Sequence, residues 1–159
     1  MAQTRTQESS SEQPRLTDSS LEMRRRLPVP REEVYRAWTE PEQIRQWFCP
    51  VGFTVVESVV DLRTGGRYRV GMKSSDGKVH TTTGVYQEIS PPERLVYTWR
   101  WEDPDALDTL VTVEFRDLGT ETELILRHER FADAARRDSH LGGWTGCLQN
   151  FESYLGKRA

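Results

Sequence analysis

Between Phe53 and Glu129 apolar side chains recur at every second position, in runs separated by tight-turn sequences. A period of two is the signature of half-buried strands. The runs are Phe53–Val60, Arg67–Ser74, Lys78–Ile89, Arg94–Trp101, Thr109–Phe115 and Glu121–His128. The breaks are Thr64-Gly65-Gly66, Asp76-Gly77, Ser90-Pro91-Pro92, Asp103-Pro104-Asp105 and Leu118-Gly119-Thr120. Connections this short join neighbouring antiparallel strands, so the segment is predicted to be a meander. Its faces separate cleanly: Tyr68, Val70 and Met72 oppose Arg67 and Arg69, while Leu95, Tyr97, Trp99 and Trp101 oppose Thr98 and Arg100. One dry face and one wet face follow.

The dry face needs a partner, and the chain ends supply one. Leu21–Leu27 alternates and is predicted to be the first strand, with Leu21, Met23, Arg25 and Leu27 on one side. Pro30 suits the start of a helix whose buried face is Val34, Ala37 and Trp38. Thr39 and Glu42 read as the capping box of a second short helix carrying Ile44, Trp47 and Phe48. From about Asp133 to Lys157 the period is helical, with Leu141, Trp144, Leu148, Phe151 and Leu155 in one stripe flanked by Cys147 and Tyr154. The expected fold is α+β: a curved antiparallel sheet of about seven strands around a long C-terminal helix, with two short helices after the first strand.

Residues 1–20 are rich in Gln, Ser, Thr and Glu and poor in large apolar side chains, so this stretch is expected to be a disordered tail before a domain spanning 21–159. It has no apolar signal-peptide core, and no stretch reaches the roughly 20 apolar residues that span a bilayer. The net charge of −3 argues against general nucleic-acid binding. Arg24-Arg25-Arg26 cannot form one basic patch on a strand, because neighbours point to opposite faces. Cys49 and Cys147 lack zinc or redox-motif spacing and are expected to be free thiols in a cytoplasmic protein.

Several short motifs stand in a fixed order. They are Arg25, then Val34-Tyr35-Arg36-Ala37-Trp38-Thr39-Glu40-Pro41, Trp47-Phe48 and Pro50. Gly65-Gly66-Arg67-Tyr68, Gly84-Val85-Tyr86-Gln87-Glu88-Ile89 and Pro91-Pro92-Glu93-Arg94-Leu95-Val96-Tyr97-Thr98-Trp99 follow. Gly119-Thr120-Glu121-Thr122, His128 and Gly143-Trp144 with Leu148 complete the set. In these the chain resembles the bacterial homologues of the C-terminal domain of the heat-shock-protein-90 ATPase activator, within the START-like (SRPBCC) superfamily. The resemblance implies the helix-grip fold, in which the sheet curls away from the helix and leaves a cavity. The co-chaperone's separate N-terminal activating domain is expected to have no counterpart here, so the resemblance is not expected to extend to ATPase activation.

The candidate ligand-binding residues are Trp47, Phe48, Phe53, Tyr68, Val70, Met72, Tyr97, Trp99, Trp101, Val111, Val113, Trp144, Leu148 and Phe151, together with Arg25. Either these aromatics fill the core or they line a pocket; Trp47 and Phe48 are the expected gate. Arg25, predicted to point inward, needs an acidic or carbonyl partner, supplied by the fold or by a ligand. His128 is predicted to face inward, whereas His80 and His140 are expected at the surface. Gly142, Gly143 and Gly146 each cost about 1 kcal/mol in a helix interior, which implies a bend, close packing or a mobile pocket rim. No catalytic constellation, metal site or cofactor motif is discernible. The expected function is non-catalytic binding of a small hydrophobic or amphipathic molecule, with no nucleic-acid partner and no membrane insertion. An edge strand would allow a homodimer. The alternatives are a small enzyme, cyclase- or hydrolase-like, drawing on Arg25, His128 and Glu102, and a chaperone-associated or regulatory interaction domain.

Overall fold

A computed structural model of the protein describes residues 13–158. Residues 1–12 of the expected tail lie outside the described residues. From Arg15 the chain is ordered, contrary to expectation: β1 (Arg15–Thr17) turns back to pair with β2 (Ser20–Leu27). The hydroxyls that made this stretch look unstructured close the turn. Thr17 Oγ1 accepts the Ser19 N–H and lies 2.6 Å from Ser20 Oγ.

Two short helices follow, α1 (Arg31–Thr39) and α2 (Pro41–Ile44), and then the meander β3 (Thr54–Val60), β4 (Arg67–Lys73), β5 (Val79–Ser90), β6 (Arg94–Trp101), β7 (Thr109–Asp117) and β8 (Thr122–Glu129). The last element is α3 (Ala134–Arg158), with Asp133 Oδ1 accepting the Arg136 N–H at its start. All eight strands form one antiparallel sheet in the order β1-β2-β8-β7-β6-β5-β4-β3. This is the helix-grip arrangement with one strand more than expected. β2 lies against β8, pairing Leu21 with His128, Met23 with Leu126 and Arg25 with Leu124. The two short helices carry the chain from there to the far edge.

The expected faces hold. Leu21, Met23 and Leu27, the inward residues of β4, β6, β7 and β8, and the helical residues Trp144, Leu148, Phe151 and Leu155 form one apolar core. Arg24 is paired with Glu123 of β8 and Arg26 with Glu121 just before that strand, so these two charges are neutralised beside the sheet. Among the described residues no helix is long and apolar enough to cross a membrane.

Two local expectations fail at the short helices. Thr39 does not cap α2; its Oγ1 donates to the Tyr35 carbonyl inside α1, 2.9 Å away, and it is the last residue of that helix. A buried hydroxyl bonded four residues back satisfies itself without leaving the helix. Glu40 takes the cap position and makes no side-chain cap bond. α2 also ends at Ile44, so Trp47 and Phe48 stand in the turns beyond it, held by Trp47 and Phe48 N–H bonds to the Ile44 carbonyl.

β5 and β6 approach closely at Gly84. At Gly84 a Cβ would overlap the Thr98 carbonyl oxygen and lie 2.6 Å from Tyr68 Cε2. The missing side chain lets the Tyr68 hydroxyl donate to that same carbonyl at 2.8 Å, while the Val85 N–H reaches Thr98 Oγ1 at 2.9 Å. Gly84→Ala is therefore expected to lower stability by about 3 kcal/mol, measured by urea denaturation; a loss within error of zero would show that the strands can separate to admit a methyl group.

A candidate ligand-binding cleft

Most of the interior between sheet and helix is filled by stacked rings. Trp47 lies 4.0 Å from Phe151 and 4.7 Å from Trp38, centroid to centroid, and Trp38 is edge-on to Phe151 at 5.3 Å. Trp47 is fully buried and donates its indole N–H to the Ala37 carbonyl at 3.0 Å, so it is a core anchor and not the expected gate. Val111, Val113, Leu148 and Phe151 belong to the same solid core. Tyr68, Val70 and Tyr97 border a void of about 20 Å³, and Phe53 is half-buried beside His80, just ahead of β3.

Space remains at one end. A cleft of about 80 Å³ opens between the turn after α2, which gives Phe48, Cys49 and Pro50, the sheet residues Met72, Trp99 and Trp101, and α3, which gives Ser139, His140, Gly143, Trp144 and Cys147. A second cleft, of about 180 Å³, shares Trp99, Trp101 and His140 with the first. Its other walls include Leu107, Thr109, Phe131, Arg130 and Arg136. Five of the expected ligand residues thus meet here: Phe48, Met72, Trp99, Trp101 and Trp144.

Arg25 is not among them. Its Nε lies 3.6 Å from Glu152 of α3, and its Nη1 donates to the Arg24 carbonyl at 2.8 Å. The half-buried guanidinium has its partner within the fold. Burial raises the Glu152 carboxyl above its ordinary range, and Arg25 opposes that shift.

His128 is also spoken for. It is fully buried, and the Trp144 indole N–H donates to its Nδ1 at 3.0 Å. Nδ1 must therefore be the bare nitrogen, and the proton sits on Nε2, which donates to Thr109 Oγ1 at 2.6 Å. Thr109 passes the chain on to the Trp99 carbonyl at 3.1 Å. Burial, with His140 nearby, holds His128 well below the usual imidazole value. Glu102, the third candidate for an enzymatic cluster, is exposed and forked to Arg69 at 2.7 and 2.8 Å. The three polar residues have three separate partnerships and do not form a catalytic group.

His140 departs from expectation. It is half-buried, with its ring 4.8 Å from His128, 5.0 Å from Phe131 and 5.8 Å from Trp99, and burial lowers its pKa to about 4. The helical spacing of positions 140, 144, 147 and 151 already places it on the Trp144 face. Cys49 and Cys147 also line the cleft; burial pushes both thiols up, which leaves them protonated and unreactive at neutral pH. Among the described residues no group of three or more histidines, cysteines or carboxylates could hold a metal ion.

Trp99 and Gly143, both on the cleft wall, are not accounted for by packing alone. Trp99 is 6 % exposed, yet its indole Nε1 is buried and has no hydrogen-bond partner among the described residues. Gly143, on the cleft wall, has open space where a Cβ would stand, and so does Gly142. Only Gly146 is explained by close packing, since a Cβ there would meet the Val51 nitrogen at 3.0 Å.

The profile of the family described as Activator of Hsp90 ATPase homolog 1-like protein matches residues 28–156. The chain belongs to this family. Among solved structures, it is similar to a protein from Chromobacterium violaceum, with 29% identity, a TM-score of 0.78, and coverage of 86% of this chain and 97% of that one. The AHSA1 protein from Silicibacter pomeroyi shares 24% identity with a TM-score of 0.79, over 89% of this chain and 100% of that one. A protein from Nitrosomonas europaea gives 24% and 0.77, over 91% and 98%. No match is found among curated proteins. The AHSA1-like chain is thus a START-like protein whose fold is shared well beyond its sequence identity.

Two predictions follow from the site. Gly143→Ala is expected to raise stability by about 0.8 kcal/mol through helix propensity, whereas Gly146→Ala is expected to give no gain; thermal melts of the two variants decide it, and a gain at Gly146 would refute the packing account. Because His128 and His140 are held below 6.5, the folded protein binds fewer protons than the unfolded chain in mild acid. Stability should be full above about pH 6.5 and fall toward about pH 4, by up to about 1.4 kcal/mol per pH unit for each histidine. Urea unfolding across this window should show a shallower slope in His140→Gln; an unchanged slope would remove His140 from the explanation.

Proposed function

We propose that this AHSA1-like protein binds a small hydrophobic or amphipathic molecule non-covalently in the cleft bounded by Phe48, Trp99, Trp101 and Trp144. The observation that carries the reading is the buried indole N–H of Trp99. A buried donor without an acceptor costs about 1–3 kcal/mol, and because Trp99 lines the cleft, a ligand oxygen or nitrogen that shifts the side chains covering this nitrogen would satisfy it. Gly143 supports the same reading: a glycine that weakens the helix and relieves no contact is explained if a ligand needs the space.

The cleft sizes restrict the ligand. At about 80 and 180 Å³ both fall below the roughly 300–1,000 Å³ of sites for drug-sized molecules. A slender or flat molecule fits best, and one reaching both clefts would shift the half-buried Trp101 or His140 between them. Such side-chain changes are common on binding. Acid–base chemistry is disfavoured by the engagement of both His128 nitrogens within the protein.

Native mass spectrometry of the protein purified from its host is expected to show a bound molecule that is lost on unfolding. Calorimetric titration with 2-naphthol should show saturable binding to the wild type and none to Gly143→Leu, whose side chain grows into the cleft from a helix that tolerates it. Undiminished 2-naphthol binding by folded Gly143→Leu would place the ligand elsewhere, and absence of any bound molecule or titration would overturn the reading.

A further inference from the structure

The two clefts differ in polarity: the second carries charged side chains of both signs. The first is walled by aromatic and aliphatic side chains, with Trp99, Trp101 and Trp144 dominant. The second adds Arg130 from the β8–α3 connection, Arg136 from α3 and Asp105 from the β6–β7 loop to the shared walls Trp99, Trp101 and His140. Arg136 is tied to Asp133, with Nη1 2.6 Å from Oδ2. His140 is neutral at physiological pH. Arg130 makes no ion pair or side-chain hydrogen bond with any described residue.

Arg130 is also held in a backbone conformation that arginine avoids. Its φ is 74°, and it is the one non-glycine residue among those described with a positive φ. Glycine or asparagine would relax this position, and four such positions among the described residues do carry glycine. What arginine supplies in return is a planar fork of donors on the wall of an aromatic cleft, suited to bidentate recognition of a carboxylate. Trp99, whose buried indole N–H is an unpartnered donor, lines both clefts.

We propose that the ligand of this cleft is an amphipathic carboxylic acid, its apolar body against Trp99, Trp101 and Trp144 and its carboxylate held by Arg130. The assignment rests on the cleft being a ligand site, and it adds the charge of the ligand and the residue that reads it. The apolar contacts supply affinity for either an acid or its neutral analogue, whereas Arg130 supplies the discrimination between them.

The test compares 2-naphthoate with 2-naphthol by calorimetry at neutral pH and low salt, in the wild type, Arg130→Gly and Arg130→Lys. The wild type should prefer the acid by about fivefold, a preference reduced at high salt. Arg130→Gly should still bind 2-naphthol, lose the preference for the acid, and melt at a higher temperature because glycine relaxes the left-handed backbone. Arg130→Lys should retain part of the preference. Equal binding of both compounds by the wild type, or a preference that survives in Arg130→Gly, would overturn the carboxylate assignment while leaving the cleft a ligand site. Binding of neither compound would overturn both.

Discussion

The hydrogen bond from the Trp144 indole to His128 is the contact on which the arrangement of the interior depends. A sheet and a helix can pack in many registers if only apolar contact holds them, because the hydrophobic effect has no direction. A buried, directional bond removes that freedom. Trp144 N–H fixes the tautomer of His128, His128 fixes Thr109, and Thr109 closes on the Trp99 carbonyl. One chain of three bonds therefore couples α3 to β8, β7 and β6. Partial satisfaction would be costly at full burial, which is why a polar network in this position specifies one structure.

The same bond decides where the interior is solid and where it is open. It positions the Trp144 ring on the cleft side of the helix, stacked toward Trp38 at 6.2 Å and tilted against Trp99 at 5.5 Å. Toward the C-terminal end of α3, Phe151 and Leu155 meet the Trp47 side of the core and leave no room. Toward the N-terminal end, the helix offers Gly143 and Ser139 to the sheet, and small residues there leave Trp99 and Trp101 partly uncovered. The cleft forms where Ser139 and Gly143 stand beside the larger His140 and Trp144 on the helix.

The period-two pattern made the meander and its dry face legible, because alternation reflects burial directly. The helical stripe was legible for the same reason. Local hydrogen bonding was harder to read. Thr39 and Glu42 have the spacing of a capping box, yet a threonine can satisfy itself against its own helix, and spacing does not distinguish the two outcomes. β1 was hidden because its residues contribute little apolar surface; a turn built on hydroxyls holds it, and no periodicity records that. Within the site, Phe48, Met72, Trp99, Trp101 and Trp144 were readable as inward aromatic and apolar residues. Their division from Trp47, Val111, Val113, Leu148 and Phe151 was not, since both groups share one face and differ only in which neighbours happen to be small. His140 and Arg130 were missed because the first was hidden by its polarity and the second by lying between elements.

The order of strands has a temporal side. β2 is made early, but its neighbour across the Leu21–His128 pair is the last strand of the sheet. Closing so long a loop costs entropy that the local hairpins of the meander do not incur. During synthesis β2 has only the three residues of β1 beside it until β8 emerges, and no cover until the 25 residues of α3 follow. The sheet can begin as a set of hairpins, but the grip is a property of the finished chain.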